Sequence, residues 1–143
     1  MTNYDRVSNW LNIAGKEKTD KNVSVQIGVQ IEEFVEFLET LFFEDVSINE
    51  AIPILSSVAN GLKKDGKYAV IVDRVGCLDS LCDQDVTLSG ISYLADFNFN
   101  LAIDLVLNSN DSKFDDTGKA IILPGGKIGK SSNYKPPDLS SCI

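Results

Sequence analysis

Four glutamates, Glu32, Glu33, Glu36 and Glu39, and two aspartates, Asp79 and Asp83, carry the spacing that suits chemistry. At about 100° per helical residue the glutamates share a side of one helix, opposite Ile31, Leu38 and Phe42. No lysine or arginine occurs between Lys21 and Lys63, so no cation stands three or four residues away to relieve their repulsion. A solvated acidic face is one reading, and a bound divalent cation that supplies the relief is the other. Asp79 and Asp83 lie one helical turn apart beside Val72 and Val86, at the edge of an apolar stripe. Their helix is apolar over most of its circumference and is expected inside the protein, where ionised carboxylates need a partner, a proton or a metal. Carboxylates from both helices, packed side by side, would suit magnesium or manganese. Such hard cations activate water and neutralise polyphosphate charge.

Other chemistries are narrowed by composition. The chain has no histidine, which removes Ser-His-Asp, Cys-His and histidine-based zinc sites. Its three cysteines, Cys77, Cys82 and Cys142, are odd in number, lack zinc-site spacing and read as reduced thiols of a cytoplasmic protein. Thirteen basic against 21 acidic residues give a net charge of -8, which argues against nucleic acid as a partner. Residues 1–15 lack the basic start and apolar run of a secretory signal. The longest apolar stretch, Tyr68 to Val72, is far too short to span a membrane.

The elements that must position these residues are helices. At 143 residues and 43% hydrophobic content, the chain suits one domain with a conventional core. Apolar residues at Ile27, Ile31, Phe34, Val35, Leu38, Leu41 and Phe42 predict a long amphipathic helix from about Val23 to Glu44. A shorter helix is expected over Tyr4 to Ala14, ended by Gly15. Ser47 and Glu50 read as a capping box opening a helix that runs to Lys63 and Lys64 and stops at Gly66, with Pro53 marking its first turn or a kink. Tyr68 to Val72 fits strand or helix, and the longer spacing favours a helix from there to about Leu94. A last helix covers about Asn98 to Asn108, and residues from Ser109 onward read as an irregular tail. The expected fold is all-α, an antiparallel bundle of four to five helices. Phe34 and Phe42 on the longest helix suggest aromatic surface buried against a second subunit.

Glu32-Glu33-Phe34-Val35-Glu36 followed by Asp79-Ser80-Leu81-Cys82-Asp83 resembles the paired EExxE and ExxD motifs of the MazG-like and phosphoribosyl-ATP pyrophosphohydrolase-like superfamily of all-helical nucleotide pyrophosphohydrolases. The segments SNDSKFDDTGKAI, residues 109–121, and SSNYKPPDL, residues 131–139, resemble the tails of its viral and bacterial versions. The resemblance covers about Val25 to Leu139. One departure is that the glutamate opening ExxD corresponds to Ser80 or Gly76, depending on register, so Asp79 would have to take its place.

The resemblance implies magnesium held between two helices, cleavage of a nucleoside triphosphate to monophosphate and pyrophosphate, and assembly as a homo-oligomer, dimer or tetramer. On this reading Glu33, Glu36, Asp79 and Asp83 bind the metal, and Glu32 orients or deprotonates the attacking water. By family analogy Asn110 and Lys113 contact the phosphates, whereas Lys127 and Lys130 read as tail solubility. The viral look of the tail suggests a purine deoxynucleoside triphosphate. Two alternatives stand beside it: hydrolysis of phosphoribosyl-ATP, and a non-catalytic acidic helical module that binds a basic partner protein. Trp10, Tyr93 and Tyr134 are aromatics that could meet a base, though such residues more often pack in cores or tails.

Overall fold

The computed structural model describes residues 1–123 and 127–143. Its helices are α1 (Asn3–Ile13), α2 (Asp20–Glu39), α3 (Ser47–Lys63), α4 (Arg74–Leu94) and α5 (Phe99–Asp111), followed by a short 3-10 helix, Ser140–Cys142. The all-helical class therefore holds. Among the described residues the sole β-type pairing is an antiparallel bridge between Ile122 and Ile128. The chain divides into two compact units, Glu17–Val72 and the pair of segments Met1–Lys16 and Asp73–Ile143.

The first of these units is an antiparallel hairpin of α2 and α3. Thr19 caps α2 by accepting from the Asn22 amide (3.2 Å), and Asp20 in the first turn suits the positive end of the helix dipole. The seam is built from small residues: Ser24, Gly28 and Val35 of α2 and Ala59 and Gly61 of α3 are buried. At Gly28 a Cβ would stand 2.9 Å from the Ala59 carbonyl oxygen and 3.0 Å from the Leu62 Cβ, so only glycine permits this approach. The large apolar residues of α2 flank the seam. Ile27, Ile31 and Leu38 are half-buried, Phe34 is exposed and Phe42, beyond the helix, is 90% exposed.

Two expected local features give way to different hydrogen bonds. The Ser47–Glu50 capping box does not form, because Val46 occupies the cap position with helical backbone and the Ser47 amide donates to the Asp45 carboxylate (2.9 Å). Helix α3 runs unbroken through Pro53. Tyr68 to Val72 is neither helix nor strand. The buried Ser24 hydroxyl donates to the Lys67 carbonyl (3.2 Å) and accepts from the Ala69 amide (2.8 Å), which holds this stretch in an irregular path. Helix α4 begins only after Asp73, whose extended backbone and side chain, accepting from the Val75 and Gly76 amides, make an N-cap.

In the other unit α1 is locked to α5 by polar contacts. A Thr2–Asp5 capping box starts α1. One turn on, Arg6 donates to Asp104 (3.4 Å), Asn108 (2.8 Å) and Asp111 (2.9 Å), and Trp10 donates to the Asn110 carbonyl (3.0 Å) while stacking on the buried Phe114. After α4 the chain reverses through Asp96 at φ 59, and the Asn98 amide donates to the carbonyl of buried Cys142 (2.8 Å). The tail beyond α5 is irregular, as expected, and is held in place by such bonds.

Helix α4 departs most from expectation. It was expected inside a bundle, yet only Ser92 is buried; Val75 is 81% and Tyr93 83% exposed, and Asp79 and Asp83 are exposed. The physical reason is distribution, since Leu81, Leu88 and Ile91 lie on a different side from Val75, Leu78, Val86 and Tyr93. Within the unit its packing partner is α5.

Two glycine substitutions should move stability in opposite directions. Gly28→Ala forces a methyl into the seam and should destabilise by about 1–3 kcal/mol. Gly90→Ala, inside α4 where an added Cβ meets nothing within 4 Å, should stabilise by about 0.5–1 kcal/mol. Denaturant melts of the two variants check both signs.

Candidate functional site

The close approach at Gly28 determines where the first cation goes. Lys63, in the last turn of α3 where a positive charge suits the helix dipole, lays its stem over Gly28, its Cγ 2.9 Å from where a Cβ would be. Its ammonium then pairs with the Glu32 carboxylate. The Lys63 side chain is 12% exposed and that of Glu32 45%. The cation that no neighbour of the glutamates on α2 provides is therefore supplied across the seam, and Glu32 borders the seam instead of standing opposite it.

Glu32 and Glu36 line a depression of about 210 Å³ together with Ser56, Asn60, Lys63 and the seam residues Val35 and Ala59. Glu36 and Glu33 are exposed, and Glu36 has no ion pair or side-chain hydrogen bond among the described residues. The donors here are hard oxygens, two carboxylates, a hydroxyl and an amide, of the kind that divalent cations accept. Among the described residues no three His, Cys, Asp or Glu side chains form a group able to hold a metal ion. A cation in this depression would meet the Glu36 carboxylate, Glu32 being paired with Lys63, and would fill its remaining positions with water or substrate oxygens, as magnesium commonly does.

The remaining candidates belong to the other unit. Asp79 and Asp83 project from exposed positions one turn apart on α4. Asn110 and Lys113 are brought together: the Lys113 ammonium donates to Asn110 Oδ1 (2.8 Å) and lies 5.7 Å from the centre of the Trp10 ring. Lys113 is thus a positioned cation, held by an amide and an aromatic face, with no ion pair among the described residues. Asn110 keeps its amide NH2 as a donor. Trp10, one of the aromatics considered for base contact, is occupied by Phe114 and the Asn110 carbonyl. Tyr93 stands exposed on α4.

Sequence reasoning overlooked Arg6, whose pairing with Asp111 removes a carboxylate from beside Asn110. It also overlooked two serines, Ser112 and Ser131, which tie the tail to the end of α5. A cue existed: arginine occurs only at positions 6 and 74, which marks Arg6 as a residue chosen for a forked contact.

In the SNDSKFDDTGKAI segment, Asp115 is a turn former. Its carboxylate accepts from the Thr117 hydroxyl (2.6 Å), the Thr117 amide (2.8 Å) and the Lys119 amide (3.0 Å), while Gly118 takes a left-handed φ of 75. The Thr117 hydroxyl, then the Lys119 amide, hold the Asp115 carboxyl below its usual range. A depressed carboxyl stabilises the folded turn fully above the ordinary aspartate pKa and loses that contribution as pH falls through the lowered one. Protection of the Thr117 and Lys119 amides, measured relative to their intrinsic exchange rates, should therefore hold near neutrality and fall selectively on acidification below about pH 4, with Asp115→Asn flattening the dependence.

Among the described residues no helix is long and apolar enough to cross a membrane, and Cys77, Cys82 and Cys142 are free thiols. No family model, curated protein or solved structure matches this chain.

Proposed function

We propose that this chain is a divalent-cation-dependent hydrolase that converts a nucleoside triphosphate to its monophosphate and pyrophosphate. The observation that carries the reading is Glu36, a carboxylate without an ion pair among the described residues, beside Glu32 in an oxygen-lined depression. Glu36, with Glu33 of the same motif, would hold magnesium or manganese on the hairpin unit; Asp79 and Asp83, which the resemblance adds, belong to the other unit. When bound, the cation supplies Lewis acidity and neutralises phosphate charge. One Glu32 oxygen engages Lys63, and the other is available to orient the attacking water and take its proton. Attack at the α-phosphorus breaks the α–β anhydride bond and releases pyrophosphate; Asn110 and Lys113 are the phosphate contacts that the resemblance implies. The substrate proposed is a purine deoxynucleoside triphosphate.

Assembly belongs to the same proposal. The exposed stripe Val75, Leu78, Val86 and Tyr93 on α4 is the kind of apolar surface that a homo-oligomer covers, as a dimer or tetramer. A second reading, a non-catalytic acidic module, draws on the absence of any three gathered metal-ligand side chains among the described residues. Both share the acidic face and differ in whether one glutamate matters more than its neighbour.

Glu36→Gln is the discriminating change. Loss of a ligand charge should lower pyrophosphate release roughly a hundredfold or more while stability stays within about half a kcal/mol. Glu39→Gln, one turn on, should leave turnover near wild type. Excess chelator should abolish activity, and wild-type turnover in Glu36→Gln overturns the metal role. Sedimentation equilibrium at working concentration should give a dimer or tetramer; an active monomer excludes the assembly.

A further inference from the structure

In a chain of net charge -8, residues 112–135 carry five lysines and two aspartates. Both aspartates are engaged locally, Asp115 in its turn and Asp116 with the Asn133 amide group (2.7 Å). None of the five lysines makes an ion pair among the described residues.

Two serines gather three of these lysines. The Ser131 amide donates to the Lys113 carbonyl (3.2 Å), and its hydroxyl, with one proton to give, donates to the Phe114 carbonyl (2.8 Å) with the Ser112 carbonyl 3.1 Å away, so Lys130 enters directly beside Lys113. The Ser112 hydroxyl accepts from the Lys135 amide (2.9 Å). A turn in which the Asn133 amide donates to the Ser131 hydroxyl and the Tyr134 amide to the Ser131 carbonyl folds the Tyr134 ring under Lys130, whose ammonium sits 4.3 Å from the ring centre. Compensation of the α5 dipole explains a cation at Lys113. It does not explain Lys130 and Lys135, which come from far along the chain to the same knot.

We infer that Lys113, Lys130 and Lys135, gathered by Ser112 and Ser131, form a binding face for an oligophosphate anion, with Tyr134 as the positioning residue that holds Lys130 in place. Unpaired like charges on hydrogen-bonded backbone segments repel one another, and a compact anion removes that repulsion while accepting charge-assisted hydrogen bonds. Lysine suits phosphate as a point charge on a flexible stem. A nucleic acid is disfavoured because its long charge array would meet the rest of a strongly acidic chain, whereas a short phosphate chain meets only this knot. The identification of the anion with the substrate's triphosphate rests on the function proposed above; the charge and geometry stand without it.

The test is titration of the full chain with inorganic tripolyphosphate in excess chelator, followed by calorimetry, so that no metal chemistry contributes. Lys130→Gln and Tyr134→Ala should each weaken binding about tenfold. Tyr134→Phe should restore it to within about twofold, since the ring face and not the hydroxyl holds the ammonium. Lys64→Gln, in the other unit, should bind as wild type. Wild-type affinity in Lys130→Gln overturns the inference, as does failure of the unmodified chain to bind tripolyphosphate. Binding as expected without metal-dependent pyrophosphate release would remove the proposed hydrolysis and leave this face standing; hydrolysis with Lys130-independent binding would do the reverse.

Discussion

The absence of a side chain at Gly28 is the constraint on which the hairpin unit depends. It brings α2 and α3 together at backbone distance, gives the Lys63 stem a path across the seam, and delivers an ammonium to Glu32. The pairing sets Glu32 apart from Glu36, which has no ion pair among the described residues. That local charge asymmetry among like residues originates in packing.

The other unit is organised by polar groups. Arg6 reaches three α5 side chains, Trp10 closes on a carbonyl, and two serine hydroxyls splice the tail onto the end of α5. Such a framework fixes side-chain positions by hydrogen-bond geometry more than by apolar volume, and it is sensitive to single atoms. Helix α4 is the counterexample, rich in apolar residues yet mostly bare in the isolated chain.

Helical periodicity made the five helices legible, because spacing of three and four survives any tertiary context. Their ends were less so. The Ser47–Glu50 pattern failed because Asp45 offered the Ser47 amide a nearer acceptor, and Tyr68 to Val72 lost its helix to a hydroxyl 45 residues away at Ser24. The acidic candidates were readable from type and spacing. The Lys63–Glu32 pair was not, since nothing local to α2 announces a cation arriving from α3. Asn110 and Lys113, singled out by resemblance, are joined in the structure, whereas the lysine at position 130, read as tail solubility, stands on an aromatic ring beside them.

Ser24 carries a consequence for what this chain tolerates. Its hydroxyl serves at once as the donor to one backbone group and the acceptor from another, within a space small enough to be almost fully closed. Alanine would leave a carbonyl and an amide unanswered, valine would fill the space with methyls that bond to neither, and asparagine would bring both functions on a side chain too long for it. The open end of the hairpin is therefore latched by one atom of dual character, and the room for sequence drift there is far narrower than on the helices it joins.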